Sequence, residues 1–186
     1  MKVLVATEKP FAAAAVNGIR EIVEGAGHEL ALLEKYTEKE QLLAAVADAD
    51  ALIVRSDKVT ADVVAAAKQL KIVVRAGAGY DNLDLPSCTE RGIVAMNTPG
   101  QNSNAVAELA LGLMIYMSRN QFTPGTGCEL SGKTIGIQGF GNIGQLVAKK
   151  AVGLGMNVLI LAPQPAEKHQ GWNTVPTIEE LYSRCN

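Results

Sequence analysis

A glycine-rich segment at residues 139–144 is the first part of this chain that could do chemistry. Its sequence, Gly-Phe-Gly-Asn-Ile-Gly, is the pattern that brings a backbone turn against the pyrophosphate of a dinucleotide. Gly139 would permit the tight turn, Gly141 the close approach of the phosphates, and Gly144 the close packing of a helix on a strand. Free N–H groups of a helix that begins near Asn142 would bind the phosphates. The alternative is that the glycines serve only a tight turn.

The segments around the glycine-rich turn decide between these alternatives. Residues 134–138 predict a buried strand, residues 142–153 a helix with an apolar face, and residues 157–161 a second strand. This complete unit favours dinucleotide binding. The second strand ends in Leu-Ala-Pro-Gln at 161–164, with no Asp or Glu to bind the adenosine ribose. Ala162 therefore leaves the choice between NAD and NADP open.

The chain after residue 163 is polar. Lys168 and His169 lie there, and we interpret them as solvated surface. The pattern predicts a loop up to a short helix at residues 178–181. This helix would need a later strand to pack onto, and the sequence shows none.

A second candidate set is cationic. Arg55 and Lys58 follow a predicted strand at 51–54, and Arg75 ends another at 72–75. Ligands bind at the carboxyl ends of parallel strands, so we expect these cations to share one crevice. Arginine grips an oxyanion through two hydrogen bonds, which suits a small phosphorylated and carboxylated molecule.

Backbone groups could add to this cationic crevice. Gly77 and Gly79 follow Arg75 closely, and their N–H groups could bind a carboxylate. The alternative is purely structural. In that interpretation Arg55 pairs with Asp57 or another acid, and Arg75 caps a strand end.

Strand-like and helix-like segments alternate through the first hundred residues. Strands are predicted at 3–6, 29–33, 51–54, 72–75 and 94–97, and helices at 12–24, 39–47, 61–69 and 85–90. This alternation predicts an α/β fold with a five-stranded parallel sheet between helices. Thr-Pro-Gly at 98–100 interrupts the pattern, which predicts a boundary between domains at 1–99 and 100–186.

A long predicted helix at residues 104–118 is apolar on nearly every face. A helix of this kind is expected to be buried on all sides. It is either a core helix or a helix with one face against a partner subunit, and the sequence leaves both interpretations open.

Composition excludes several classes of function. The 186 residues carry a net charge of −2 with no basic run, which argues against nucleic acid as a partner. No apolar stretch has membrane length, and the N-terminus predicts a strand rather than a signal peptide. Cys88, Cys128 and Cys185 are scattered, so we expect neither disulfides nor a metal site, and a cytoplasmic location. His28 and His169 are the two histidines, which limits the candidates for a general base.

Five motifs together resemble the D-2-hydroxyacid dehydrogenase family. In chain order they are Val-Arg-Ser at 54–56, Arg-Ala-Gly-Ala-Gly-Tyr-Asp-Asn-Leu-Asp at 75–84, Met-Asn-Thr-Pro-Gly at 96–100, Val-Ala-Glu-Leu at 106–109 and the glycine-rich turn. The resemblance covers the whole chain and is strongest to members that oxidise 3-phosphoglycerate with NAD in serine biosynthesis. It implies a flavodoxin-like substrate domain at 1–99, then an incomplete Rossmann domain at 100–186, with hydride transfer between them.

The resemblance also implies roles for individual residues. The implied substrate contacts are Arg55, Ser56, Lys58, Arg75 and Gly77. The implied cofactor contacts are Ala78, Gly139, Gly141, Asn142, Ile143, Gly144 and Ala162. Relatives often have Thr where this chain has Ala78, so a hydroxyl contact is absent here. The helix at 104–118 corresponds to the element that forms the family's homodimer.

The catalytic residues of the family have no counterpart in this sequence. The resemblance implies that its Arg, Glu and His lie beyond Asn186, and neither His28 nor His169 matches. We therefore expect the 186 residues to be the N-terminal part of a longer enzyme, inactive alone and prone to associate. The alternatives are a non-catalytic binding or dimerisation module, or a dehydrogenase of another 2-hydroxy acid.

Overall fold

Parallel strands alternate with helices in the computed structural model, which describes residues 1–163 and 166–186. The chain divides into two compact units, Met1–Pro99 and Gly100–Asn186. Every strand pair formed by these residues is parallel. The α/β fold class predicted from the sequence is therefore confirmed.

The first unit is a five-stranded sheet with four helices. Its strands are β1 (Lys2–Thr7), β2 (Glu29–Glu34), β3 (Ala51–Val54), β4 (Ile72–Arg75) and β5 (Val94–Met96). Its helices are α1 (Ala13–Gly25), α2 (Lys39–Val46), α3 (Ala61–Ala66) and α4 (Leu85–Glu90). The strand order is β2-β1-β3-β4-β5, which is the flavodoxin-like order.

The core of the first unit explains these elements. Leu4, Leu52 and Val73 pair in register and lie buried on one face of the sheet, where they pack with side chains of helices α2 and α3. Helix α3 ends earlier than predicted because the chain turns at Ala67 and places Leu70 in the core.

Over its described residues, the second unit is a three-stranded sheet with three helices. Its elements are α5 (Ser103–Ser118), β6 (Thr134–Gln138), α6 (Asn142–Gly153), β7 (Asn157–Leu161), β8 (Asn173–Thr174) and α7 (Ile178–Ser183). The strand order is β6-β7-β8. Two short 3-10 helices, Asn120–Phe122 and Ala166–His169, lie between these elements. The bounds of β6 and β7 are those predicted.

Two predictions for the segment after residue 163 are wrong. The segment contains the 3-10 helix and strand β8, which pairs with β7. Helix α7 needs no later strand, because Leu181 packs with Leu159 and Val175 and is 1% exposed. Gly136 on β6 makes room for this helix. A Cβ there would lie 2.6 Å from Cys185 Sγ and 2.8 Å from Leu181 Cγ.

Within this chain helix α5 is buried on one face only, so the interpretation that its other face meets a partner subunit stays a prediction. Ala107 and Leu111 are buried on the face that packs against α6. The exposed fractions of Leu109, Leu113 and Met117 are 63%, 53% and 62%. The reason is geometric, since a single neighbouring helix cannot cover the opposite face. Even so, among the described residues no helix is both long and apolar enough to cross a membrane.

Candidate functional site

The glycine-rich turn joins the end of β6 to the start of α6. Gly139 has a φ of +90°, which side chains rarely tolerate, and its N–H donates to the Leu161 carbonyl at 2.7 Å. A Cβ on Gly144 would lie 2.3 Å from the Gly139 carbonyl oxygen, so only glycine allows this helix to pack so closely. A Cβ on Gly141 would meet no atom within 4 Å, so this side of the turn is open.

The start of α6 fits an anion. The helix begins at Asn142, directly after Gly141, and within the described part of the chain no side chain caps it. Its first N–H groups therefore have no partner inside the helix, and the positive end of the helix dipole lies at the same place. Asn142 and Ile143 are exposed beside the open turn. The turn and the helix start together form a cradle that suits a pyrophosphate.

The position expected to bind the adenosine ribose carries no polar side chain. Ala162 is half-buried and packs against an apolar cluster that includes Phe140. Gln164, at the end of the segment predicted to bind the ribose, lies outside the described residues. The side chain of Ala162 therefore cannot select between a ribose hydroxyl and a ribose phosphate.

His169 is buried, which corrects the prediction that it belongs to a solvated surface. It is 8% exposed, and its ring packs edge-on against Phe140 with centroids 5.3 Å apart. Trp172 packs against the same ring, also at 5.3 Å. Because Phe140 belongs to the glycine-rich turn, the segment after β7 folds back to support that turn. The single tryptophan in a polar segment was the sequence signal for this packing. Lys168 is exposed.

The structure brings Arg55 and Arg75 together at the carboxyl ends of β3 and β4. Val54 pairs with Arg75 in the strand register, and Arg75 Nε donates to the Arg55 carbonyl oxygen at 2.9 Å. Arg75 does therefore bond a carbonyl at a strand end, as the structural alternative stated. Over residues 1–163 and 166–186, however, no ion pair uses Arg55, Lys58 or Arg75. Their positive charges remain available to a ligand.

Asp57 is buried and does not pair with the Arg55 side chain. Its Oδ1 accepts hydrogen bonds from the Tyr36 hydroxyl at 2.8 Å and the Glu8 N–H at 2.7 Å, and its Oδ2 accepts from the Arg55 N–H at 3.4 Å. Asn82 Nδ2 donates to the Asp57 carbonyl at 2.8 Å. Burial, and then the hydrogen bond to Asp57, raise the pKa of the Tyr36 hydroxyl above its ordinary value.

Gly77 makes room for an arginine. A Cβ on Gly77 would lie 1.5 Å from Arg75 Nη1, so the guanidinium occupies the space beside the glycine. The Gly77 N–H already donates to the Arg75 carbonyl at 2.8 Å, which corrects the expectation that it is free to bind a carboxylate. The Gly77 carbonyl accepts from the Thr98 N–H at 2.9 Å. Ala78 is half-buried, and its carbonyl accepts from Asn97 Nδ2 at 2.8 Å.

Ser56 and Lys58 border two cavities at the same edge of the sheet. One cavity, of about 340 Å³, also reaches Tyr36 and Lys39. The other, of about 510 Å³, also reaches Asp81. In the described structure neither of these cavities is lined by the two arginines. Both cavities carry acids as well as Lys58, namely Glu8 and Asp57 in the first and Asp81 and Asp84 in the second.

The chain is similar to known proteins along nearly its whole length. Residues 5–184 match the family model for the catalytic domain of D-isomer specific 2-hydroxyacid dehydrogenases. A hydroxypyruvate reductase from Thermotoga maritima is 43% identical over 153 residues, which cover 75% of this chain and 50% of the relative. A D-3-phosphoglycerate dehydrogenase from Methanocaldococcus jannaschii is 42% identical over 165 residues, which cover 80% of this chain and 32% of the relative.

A solved structure shows the same relation in three dimensions. The crystal structure of 3-phosphoglycerate dehydrogenase from Entamoeba histolytica with bound NAD⁺ has a TM-score of 0.91 and 50% identity to this chain. The match covers 100% of this chain and 60% of that one. The chain thus spans half or less of the two curated relatives named above, and somewhat more of this structure.

Proposed function

We propose, since this chain belongs to the D-isomer specific 2-hydroxyacid dehydrogenase family, that its two units bind the substrate and the cofactor of a phosphoglycerate dehydrogenase. The reaction would be the NAD-dependent oxidation of 3-phosphoglycerate to 3-phosphohydroxypyruvate, a step of serine biosynthesis. The substrate assignment rests on the pair formed by Arg55 and Arg75. No acid in the described residues neutralises the charges of these two side chains.

Charge and geometry favour a substrate with both a phosphate and a carboxylate. Arg55, Arg75 and Lys58 place three cations at one edge of the first sheet. The nearby acid Asp57 is buried and already accepts three hydrogen bonds, so it is not placed to bind their side chains. A hydrogen bond between charged partners contributes about 1.5–3 kcal/mol. Two arginines that face a doubly charged phosphate and a carboxylate would therefore dominate the affinity.

The cradle around the glycine-rich turn would hold the cofactor. Open space at Gly141 would admit the pyrophosphate, and the N–H groups of Asn142 and Ile143 would donate to it. When bound, NAD accepts the hydride from the carbon that carries the substrate hydroxyl. The relative from Entamoeba histolytica with bound NAD⁺ supports NAD, although Ala162 makes no selection against NADP.

Residues 1–186 would supply binding without the proton transfer. His169 is buried against Phe140, so it is not placed to accept a proton from a substrate hydroxyl. We therefore propose that these residues bind both molecules and show no turnover by themselves.

Calorimetric titration of the chain with 3-phosphoglycerate tests the substrate assignment. We expect Arg55→Gln to weaken binding about 100-fold, because two charged hydrogen bonds correspond to roughly 3 kcal/mol. The thermal midpoint should not change, since Arg55 is exposed. The matched control is Arg20→Gln on α1, whose arginine pairs with Glu24 on the surface. Equal affinity of the wild type and Arg55→Gln would contradict the proposal.

D-glycerate, which lacks only the phosphate, separates this substrate from other 2-hydroxy acids. We expect it to bind far more weakly than 3-phosphoglycerate. Equal binding of the two would favour a dehydrogenase of another 2-hydroxy acid, which is the class of the Thermotoga maritima relative.

The exposed face of α5 favours a second candidate function, namely homodimerisation, with or without catalysis. Leu109, Leu113 and Met117 form an apolar surface on this face, and such surfaces mark interaction sites. We expect sedimentation to show a dimer for the wild type and a monomer for Leu109→Glu/Leu113→Glu. The control Lys149→Glu, at an exposed position of α6, should stay dimeric. A monomeric wild type would exclude this interface.

A further inference from the structure

Asp57 joins three separate parts of the first unit. Asp57 is 5% exposed, and its carboxylate accepts from Glu8 after β1, from Tyr36 after β2 and from Arg55 after β3. A buried carboxylate is costly unless donors surround it, and here two main-chain N–H groups and one hydroxyl supply them. The ends of three adjacent strands, β2, β1 and β3, therefore meet at one side chain.

The backbone of Arg55 links this carboxylate to both arginines. The Arg55 N–H faces Asp57 Oδ2, and the Arg55 carbonyl oxygen accepts from Arg75 Nε. These two hydrogen bonds hold the peptide groups on both sides of the Arg55 Cα. They thus set the direction in which the Arg55 side chain leaves the backbone and the place where the Arg75 guanidinium is held. The missing Cβ of Gly77 leaves room for that guanidinium.

We infer that Asp57 is a positioning residue that holds Arg55 and Arg75 in the orientation that binds the anionic substrate. This inference rests on the proposed function. Asp57 is buried and acts through the two arginines rather than by touching the substrate.

Charge alone predicts the opposite effect of removing this carboxylate. A negative charge near two arginines weakens their attraction for an anion, so neutralising it should tighten binding. Positioning predicts weaker binding, because the arginines would lose their fixed orientation. The direction of the change in Kd therefore separates the two explanations.

The variant Asp57→Asn tests this directly. The amide keeps the size of the side chain and one acceptor oxygen, but its NH₂ group cannot accept from a third donor. The matched control is Asp50→Asn. Asp50 also accepts a main-chain N–H, from Lys2 at 2.8 Å, and pairs with Lys71, but it lies before β3 at the opposite edge of the sheet.

Calorimetry with 3-phosphoglycerate and thermal unfolding are measured on both variants. We expect Asp57→Asn to weaken binding ~10-fold, and Asp50→Asn to leave the Kd unchanged even where its Tm falls. An unchanged or lower Kd in Asp57→Asn overturns the inference.

A second readout needs no substrate. In ¹H–¹⁵N NMR spectra, the Arg55 amide and the Arg75 Nε–H signals should shift in Asp57→Asn and stay in place in Asp50→Asn. If the wild type binds no 3-phosphoglycerate, the proposed function fails, and these signals alone decide the positioning role. Unshifted signals overturn it.

Tyr36→Phe provides a second test of the inference if Asp57→Asn does not fold. It removes one donor to Asp57 Oδ1 and retains the ring, which is buried in the core. We expect binding to weaken about two- to three-fold and the Arg55 amide to shift. An unchanged Kd together with an unshifted amide contradicts the inference.

Discussion

The two units of this chain present their candidate ligand sites by different means. In the second unit the site consists of backbone groups from consecutive residues, 139–144. In the first unit it consists of side chains, and Arg55 and Arg75, twenty positions apart, meet only because β3 pairs with β4. A backbone site thus requires glycines, which have no Cβ, at particular positions. A side-chain site instead requires neighbouring residues that hold its side chains in place.

Glycine shows the same difference on a smaller scale. Gly144 makes room for the Gly139 carbonyl, which is backbone and cannot move without moving the turn. Gly77 makes room for the Arg75 guanidinium, which is the end of a flexible side chain. Substitution of these two glycines should therefore affect stability and binding to different degrees.

The largest effect is expected for Gly144→Ala. Its Cβ would overlap the Gly139 carbonyl oxygen at 2.3 Å, so helix α6 must move away from the turn. We expect a loss of about 3 kcal/mol in the free energy of unfolding, because overpacking against backbone is hard to relieve. NAD binding should disappear. Urea denaturation and titration with NADH by fluorescence measure the two effects.

Two variants of nearby glycines serve as controls for Gly144→Ala. Gly153→Ala, at the end of the same helix, should leave NAD binding unchanged and raise the free energy of unfolding by up to about 1 kcal/mol, since its Cβ meets no atom within 4 Å and alanine favours a helix more than glycine does. Gly141→Ala should keep the stability and lose NAD affinity, because its Cβ enters only the open space that we propose for the pyrophosphate. Unimpaired NAD binding in Gly144→Ala would show that the turn is not the cofactor site.

An intermediate effect is expected for Gly77→Ala. The new Cβ would lie 1.5 Å from Arg75 Nη1 and would push the guanidinium out of its place. We expect binding of 3-phosphoglycerate to weaken ~10-fold and the free energy of unfolding to change by less than about 1 kcal/mol. Gly18→Ala in helix α1 is the control, since its Cβ meets nothing. A large loss of stability without a change in affinity would assign Gly77 a purely structural role.

The smallest effect is expected in acid, and it should be confined to the first unit. Hydrogen bonds from Lys39 and then Thr60 lower the pKa of Asp62 from 3.8 to about 2, and Lys2 and Lys71 lower the pKa values of Asp48 and Asp50. A carboxyl group whose pKa is lower in the folded state than in the unfolded state stabilises the fold at pH values above its unfolded pKa. For Asp62 this stabilisation is lost as the pH falls from 3.8 towards 2. All three acids belong to Met1–Pro99.

Circular dichroism and tryptophan fluorescence separate the two units in this acid titration. Trp172 is the single tryptophan and lies in the second unit, whereas circular dichroism reports both. As the pH is lowered, we expect the dichroism signal to weaken before the fluorescence changes. We expect Asp62→Asn to make the dependence of the dichroism signal on pH slightly shallower. The exposed position of Asp62 keeps this difference small. If dichroism and fluorescence change at the same pH in both the wild type and the variant, the first unit does not respond separately to acid.

Local sequence was sufficient for the elements of the glycine-rich unit. The predicted bounds of β6 and β7 and the start of α6 at Asn142 are those observed, because each depends on neighbouring residues. The same holds for β3 and β4, which are short apolar runs that end at charged residues. Local patterns left α5 open between a core helix and a helix that faces a partner, because apolar composition does not say which of its faces find a neighbour within the chain.

Long-range contacts account for what the sequence left open or predicted wrongly. His169 lies in a polar segment, yet Phe140 and Trp172 cover it in the fold. Asp57 stands between Ser56 and Lys58 like any surface turn residue, and only the meeting of three strand ends makes it a buried acceptor.

The sequence by itself determined the α/β alternation, the glycine cradle and the presence of cations after two strands, since these follow from residue type, period and spacing along the chain. The tertiary structure decided which cations meet, which acid is buried beside them and which helix face stays exposed. The physical reason is that hydrogen bonds, burial and charge contacts depend on distance in space, and strand pairing brings together residues that the order of the chain keeps apart.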